Sequence, residues 1–392
     1  MRSGVTEGYV HPDFGAVTES LARAVAHKNG GGAAVSVYHR GELVVDAWAG
    51  NRNSEGNPWE RDTIALSFST TKGVVATAVH CLVDKGLLDY DDSVADYWPE
   101  FAAAGKQRVT VRHLLSHSAG MHRLRGVIED ASQMLDWDFV VKALAEQSPS
   151  YEPGTRFGYH GITFGFLVGE VVRRITGKSV QQVIQAEIAA PLDLDCMLIG
   201  ASGEDRHRIA ELLIVPRDSL RAQRWSRQLE RIPLLRPGIE ALSIPGLDRL
   251  LTSGDVYDSE LPALNGCFTA RSLAKMYAVL AAGGELGGRR LLSADTLVRA
   301  TEVQTRSRDL VVGFPMRWRL GYHLAATGRG VLPHGFGHFG YGGSGAWADP
   351  DRDLAVAMVC NRVAGTPFGD RRFLGIGAAA VRSADRIIRG ST

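Results

Sequence analysis

Lysine is the scarcest charged residue of this chain: of its 392 residues only seven are lysine, and arginine supplies the other 37 of the 44 basic side chains. Against 43 acidic residues the net charge is +1, so no global field favours nucleic acid or an anionic membrane surface. Cysteine is equally sparse. Cys81, Cys196, Cys267 and Cys360 lie far apart in apolar contexts, which excludes a disulfide framework or metal-ligand spacing and predicts buried free thiols. No apolar run reaches the ~18 residues of a membrane-spanning helix; Ile162 to Val172 comes nearest and is interrupted by Glu170. The opening MRSGVTEGYV has no apolar core of a secretory signal, so the expectation is a cytoplasmic protein without a membrane span or a nucleic-acid partner. Internal repeats and low-complexity tracts are absent as well.

Apolar periodicity predicts strands near both ends and helices between them. Phe14, Val17, Leu21 and Val25 form one face of a helix capped by Asp13 and stopped at Gly30-Gly31-Gly32. Ala33 to Tyr38 and Glu42 to Ala49 read as a hairpin turning at Arg40-Gly41. A helix follows from Ser69 to about Lys85, then further helices over 109–117, 140–146 and 165–176. Residues 205–250 are irregular and rich in arginine, and read as surface helices and loops that wall a pocket. After a helix over 270–283, strands return at Trp318 to Leu324, around 337–347 and at Asp353 to Cys360, and Phe373 to Ile388 closes the chain as a helix. This order suits an α/β unit with an antiparallel sheet built from both termini (1–68 and 265–392) and an inserted all-α region (69–264), with a site between them.

The scarcity of lysine makes its positions informative. Two of the seven stand three residues after a serine, at Ser69/Lys72 and Ser272/Lys275. Positions i and i+3 share a helix face, so an amine can reach the hydroxyl. A serine hydroxyl needs a neighbouring base to become a nucleophile, and a lysine can serve where burial disfavours its charged form. Ser272/Lys275 has a simpler account: Thr269 caps a helix whose apolar stripe is Leu273, Tyr277 and Leu280, and Lys275 falls on the solvated side with Arg271. Ser69 differs, because Lys72 leads into Val74, Val75, Ala78 and Leu82 and would be buried. A buried lysine marks a candidate functional site.

Two other stations carry chemistry. Tyr159 follows the Pro153-Gly154 turn; beside a buried amine its phenol could be lowered and share general-base work, although a tyrosine closing a core would look the same. In Gly337 to Pro350, His338, Gly340, Gly342, Gly343 and Gly345 flank a strand, where free N–H groups suit an oxyanion hole as well as a tight hairpin. His113 and His117 have the i, i+4 spacing of a zinc helix but lack the glutamate of H-E-x-x-H, so no metal is expected. No cofactor motif is present, since Gly30-Gly31-Gly32 lacks the rest of a phosphate loop. The G-x-S-x-G elbow is also missing, as Gly342-Gly343-Ser344-Gly345-Ala346 ends in alanine.

Taken in order, Ser-x-x-Lys, the tyrosine after P-G-T, and His338-Phe339-Gly340 resemble the serine β-lactamase-like superfamily, and above all the family VIII carboxylesterases. The stretches VRHLLSHSAGM (111–121), EPGTRFGYHGITFGFLVGEVV (152–172) and GGSGAWADPDRDLAVAMVCNR (342–362) extend the likeness over about residues 12 to 385. The resemblance implies the β-lactamase/transpeptidase-like fold and a serine hydrolase, a carboxylesterase that cleaves short- to medium-chain acyl esters of small molecules through an acyl-enzyme. By it, Ser69 would be the nucleophile, Lys72 and Tyr159 its base partners, and the N–H groups of Ser69 and Tyr341 the oxyanion hole. His338, Gly340 and His160 would line the substrate. Relatives often carry Tyr-x-Asn and a lysine in the glycine-rich strand, where this chain has Gly161 and His338. Both changes remove groups that favour charged lactams or peptides and point to neutral esters, with β-lactamase, D-aminoacyl peptidase or transacylase activity as alternatives, and a catalytically silent binding protein as the contrasting one. Oligomeric state is left open, a homo-oligomer included.

Overall fold

The structure is a computed structural model that describes residues 6–26, 31–214, 236–363 and 370–390. Seven strands from the two ends of the chain form one antiparallel sheet. In spatial order they are Glu7–Val10, Glu42–Gly50, Gly32–His39, Leu354–Cys360, Gly345–Asp349, Gly330–Phe339 and His323–Thr327. The seam between the ends is the pairing of Gly32–His39 with Leu354–Cys360, in which Val35 faces Met358 and Val37 faces Val356.

Side-chain alternation gives this sheet two different faces. Val35, Val37, Val45, Val356 and Met358 point to one side, where the helices Gly15–Val25 and Arg371–Gly390 cover them with Val17, Leu21, Ile376 and Ala380. The opposite side carries Ala34, Ala346, Ala348, Ala355 and Ala357. These short side chains leave room for the helix Ala270–Ala281, which lies across the central strands. Beyond it the chain is mainly helical, through Thr70–Asp84, Val111–Leu115, Trp137–Glu146 and Thr163–Thr176. The Thr70–Asp84 helix is buried at every residue from Thr70 to Val83, as befits a helix that runs through the centre of a core. The fold is therefore the mixed α/β architecture expected, an antiparallel sheet flanked by helices.

Several local expectations change. Trp318, Leu320 and Tyr322 alternate like a strand and are all buried, yet the strand begins only at His323. Arg317 and Gly321 have positive φ (49° and 78°) and Arg319 N–H donates to Tyr322 O at 2.8 Å, so the segment before it is a set of turns. The glycine-rich stretch is two strands and a turn rather than one strand. His11, not Asp13, accepts the capping hydrogen bond at the first helical turn. Two features escaped the periodicity: the edge strand Glu7–Val10, and a small sheet of Ala65–Leu66, Gly266–Phe268 and Met197–Ile199. Both consist of strands of two to four residues, too short for alternation to register. Of the arginine-rich stretch, 215–235 lies outside the described residues, as does Gly30. All four cysteines are buried and free. No helix among the described residues is long and apolar enough to cross a membrane.

Candidate active site

Ser69 sits on a tied-down elbow between the small sheet and the Thr70–Asp84 helix. Phe68, just before it, takes a left-handed backbone with φ of 49°, which costs a non-glycine residue roughly 1–2 kcal/mol. Ser67 N–H donates to Gly266 O (2.8 Å), and Thr71 Oγ1 donates to Phe68 O (2.5 Å) while accepting from Gly266 N–H (3.0 Å). The strained residue is thus held by bonds on both sides, as strain at a functional turn must be. Ser69 occupies the N-cap position but makes no side-chain capping bond, so its hydroxyl is free for other partners.

Those partners are Lys72 and Tyr159. Lys72 Nζ lies 3.0 Å from Ser69 Oγ and donates to the Ala263 carbonyl at 3.0 Å. It is wholly buried, and burial alone pushes its amine well below the ordinary lysine range. Tyr159 O–H donates to Ser69 Oγ at 2.7 Å, and Lys72 Nζ stands 5.1 Å from the centre of the phenol ring. The expectation that Tyr159 would be lowered is reversed. Burial raises it, Asp309 adds to the rise, and the Ser69 hydrogen bond opposes them only in part. The reason is burial, which disfavours a phenolate and also pushes Lys72 toward its neutral form, away from the cation that could have stabilised one.

The glycine-rich turn closes the other side of the elbow. Gly340 N–H donates to Ser344 O (2.8 Å) and Gly343 N–H to Gly340 O (3.1 Å), which leaves Tyr341 at the corner. The Tyr341 ring packs edge-on against Phe68, 5.8 Å between centroids. Among the described residues, neither the Ser69 nor the Tyr341 N–H is engaged in a hydrogen bond. Gly340 has to be glycine, because a Cβ there would stand 2.3 Å from Ser67 O and 3.0 Å from Thr70 Oγ1. Gly340→Ala must push the turn off the elbow, and we expect it to lower kcat of ester hydrolysis by about a hundredfold or more, since misplacing a reacting group by ~1 Å costs about that much. Steady-state kinetics beside a melting curve check this; an unchanged kcat would place the turn outside the site.

His338 projects from the sheet face opposite Phe339, which belongs to the core beneath Arg371–Gly390. Its ring is 6.2 Å from that of Tyr159 and 4.6 Å from that of His323. Nδ1–H donates to Phe339 O at 3.1 Å, and among the described residues the buried Nε2 has no hydrogen-bond partner. Burial, with His323 and Lys72 nearby, pushes its pKa well below that of a free imidazole, so the ring is neutral at physiological pH. His160 is placed differently. Its Nε2 accepts from Met121 N–H (3.0 Å) and its backbone N–H donates to His117 Nδ1 (3.2 Å). Among the described residues no hydrogen bond or ring contact joins the His160 side chain to Ser69, Lys72 or Tyr159. His113, the other member of the histidine pair, is spent in a helix cap, where Nδ1 accepts from Thr110 N–H. The competing Ser272 is committed elsewhere too, donating to Asp195 Oδ1 at 2.5 Å, while Lys275 Nζ reaches Asp193 O at 3.5 Å.

Residues 19–380 match the family described as Beta-lactamase. The chain belongs to the beta-lactamase family. Among its relatives, the esterase/beta-lactamase LipL of Mycobacterium tuberculosis (strain ATCC 25618 / H37Rv) is 37% identical over 363 residues, covering 91% of this chain and 83% of LipL. A crystal structure of a family VIII carboxylesterase superposes with a TM-score of 0.84 at 36% identity, over 97% of this chain and 100% of that one. A penicillin-binding protein homologue from Caulobacter crescentus gives the same TM-score at 32% identity, again over 97% and 100%. This member of the beta-lactamase family brings further residues to the site that its sequence did not announce: Ala263, His117, Asp309 and Trp318. A backbone carbonyl carries no sequence signal. Asp309 and Trp318 lie in turns whose spacing has no regular period, and only the composition of Arg308-Asp309 and Arg317-Trp318 could have drawn notice.

Proposed function

We propose that this protein is a serine carboxylesterase that cleaves short- to medium-chain acyl esters through an acyl-Ser69 intermediate. The observation that carries the reading is one hydroxyl, Ser69 Oγ, set 3.0 Å from a buried amine and 2.7 Å from a phenol. Neutral Lys72 takes the Ser69 proton as Oγ attacks the ester carbonyl. Tyr159 donates to Oγ and passes a proton from Lys72 toward the leaving alkoxide. The N–H groups of Ser69 and Tyr341 receive the oxyanion. Water then attacks the acyl carbonyl, its proton passes through the Tyr159 hydroxyl to Lys72, and the acid leaves as Ser69 Oγ recovers a proton from Lys72.

Neutral esters suit the surroundings. His338 is uncharged, so the strand offers no permanent cation for a substrate carboxylate. Leu242 fills the place beside Gly161, where a Cβ would meet its Cδ2 at 2.4 Å. Leu242 also joins Phe157, Val311, Val312, Met316 and Trp318 in an apolar cluster around Tyr159, which supports an apolar wall for an acyl or alkyl chain. Because LipL bears both names in its description, lactam hydrolysis is the second reading. The test is to compare p-nitrophenyl acetate and butyrate with a chromogenic cephalosporin, and to look for an acyl adduct by mass spectrometry. The expected result is ester turnover far ahead of the lactam, with the added mass on the peptide that contains Ser69. Faster cephalosporin cleavage would overturn the substrate assignment.

A further inference from the structure

Beneath Tyr159 lies a carboxylate that the reaction above does not use. Asp309 is 1% exposed. Its Oδ1 accepts N–H groups from Tyr159 (3.2 Å), Val311 (2.8 Å) and Val312 (2.9 Å), and its Oδ2 accepts Trp318 Nε1–H (2.8 Å). Burial raises its pKa while the four N–H groups pull it down. All four neighbours are donors, and a protonated acid would need an acceptor for its own O–H, so the cage fits the ionised form. Trp318, held by Oδ2, lies flat on the Tyr159 ring, 5.4 Å between centroids at 11°. The same side chain therefore grips Tyr159 twice, through its backbone and through the ring stacked on its phenol.

The other titratable groups around Tyr159 are Lys72 from the Thr70–Asp84 helix, His117 after the Val111–Leu115 helix, and His338 from the Gly330–Phe339 strand. Burial pushes all three toward their neutral forms. Among the described residues, Asp309 is thus the charge that Tyr159 feels, and that charge is negative.

We propose that Asp309 is a positioning residue for Tyr159, tying its backbone to the stacked Trp318 ring and keeping the phenol protonated as the donor to Ser69 Oγ. This rests on the acyl-Ser69 reading but makes a separate claim, namely that Tyr159 works as phenol and never as phenolate, with Lys72 as the base. The carboxylate acts in two ways that can be separated. Asp309→Asn removes the charge and turns an amide N–H₂ toward Trp318 Nε1–H, two donors face to face. Adding Trp318→Phe removes that clash and keeps a flat ring, but does not restore the charge.

The experiment is the pH dependence of kcat/KM for p-nitrophenyl butyrate in wild type, Asp309→Asn, Trp318→Phe and the double variant, each with a melting curve. Asp309→Asn should lower kcat/KM about tenfold with KM little changed, and move the alkaline limb downward by about one pH unit or more, because the anion that opposed phenol ionisation is gone. Trp318→Phe alone should cost about threefold. The double variant should regain most of the lost rate yet keep the shifted limb. A limb that superimposes on wild type, with only the melting temperature lowered, overturns the proposal and leaves Asp309 a loop cap. Should Asp309→Asn not fold, the alkaline ultraviolet difference between wild type and Tyr159→Phe decides. The proposal requires no tyrosinate absorbance from Tyr159 below about pH 10, and a signal near neutrality overturns it. That spectrum needs no substrate, so it stands apart from the acyl-Ser69 adduct, whose absence would instead defeat the esterase reading.

Discussion

Ser69→Ala is expected to lower ester hydrolysis by about 10⁴-fold or more and to abolish the acyl adduct, with a melting temperature close to that of wild type. The size follows from what remains when a nucleophile is removed: oriented donors and binding still help water attack, but the covalent route is gone. The small structural effect follows from the elbow. Among the described residues Ser69 Oγ caps no helix and bonds only to Lys72 and Tyr159, whereas the backbone turn is held by Ser67, Thr71 and Gly266. Deleting the hydroxyl therefore leaves the frame intact, at a cost of about 1 kcal/mol. Intact-mass and kinetic measurements on one preparation suffice. An adduct persisting in Ser69→Ala, on Ser272 or any other residue, would sink the assignment of the nucleophile.

Lys72→Met should lose activity by about 10³-fold or more and yet melt a few degrees higher than wild type at pH 7. A methionine fills nearly the same channel without the desolvation that burdens the amine, and replacing a functional residue that is unfavourable to folding commonly adds about 1–2 kcal/mol. The gain is tempered because Ala263 O loses its donor. The pH dependence gives the sharper check. Burial holds Lys72 below its unfolded value, which is near 10.4. In the interval between the folded and unfolded values the unfolded chain binds a proton that the folded chain does not, so wild-type stability falls as pH drops through it. Methionine has no such dependence, so the difference in melting temperature should widen from pH 10 down toward neutrality. Activity of the wild type should fall over the acid side of the same interval as Nζ becomes protonated. A destabilised Lys72→Met at pH 7 would mean that the amine is charged and paired in the folded protein.

Much of this site can be read from the amino-acid sequence because chemistry and scarcity coincide there. With seven lysines in the chain, a lysine one turn after a serine inside an apolar helix stands out, and the structure brings Lys72 and Tyr159 each within hydrogen-bonding distance of Ser69 Oγ. The long helices and the buried strands are legible for the usual reason, a sustained apolar period. What escaped is what has no period. The alternation of Trp318, Leu320 and Tyr322 predicts a strand, and alternation cannot register that Arg317 and Gly321 turn the backbone. Asp309 carries no sequence signal, since its place comes from backbone N–H groups gathered from Tyr159, Val311 and Val312. The direction of the Tyr159 shift is not legible in the sequence because it depends first on burial, which the tertiary fold decides, and then on that same carboxylate.

The seam that joins Gly32–His39 to Leu354–Cys360 has a consequence for the birth of the protein. A growing chain carries Ser69 long before it carries Leu354–Cys360, the partner that Gly32–His39 finds more than three hundred residues further on. Closing so long a loop comes late and slowly, as non-local pairing does. Until Tyr341 and the strands around it arrive, Ser69 is a serine on a helix end, without the turn that abuts its elbow. Hydrolysis of a chromogenic ester should thus report the last steps of folding rather than the first, and a nascent or C-terminally truncated chain should be inert toward it.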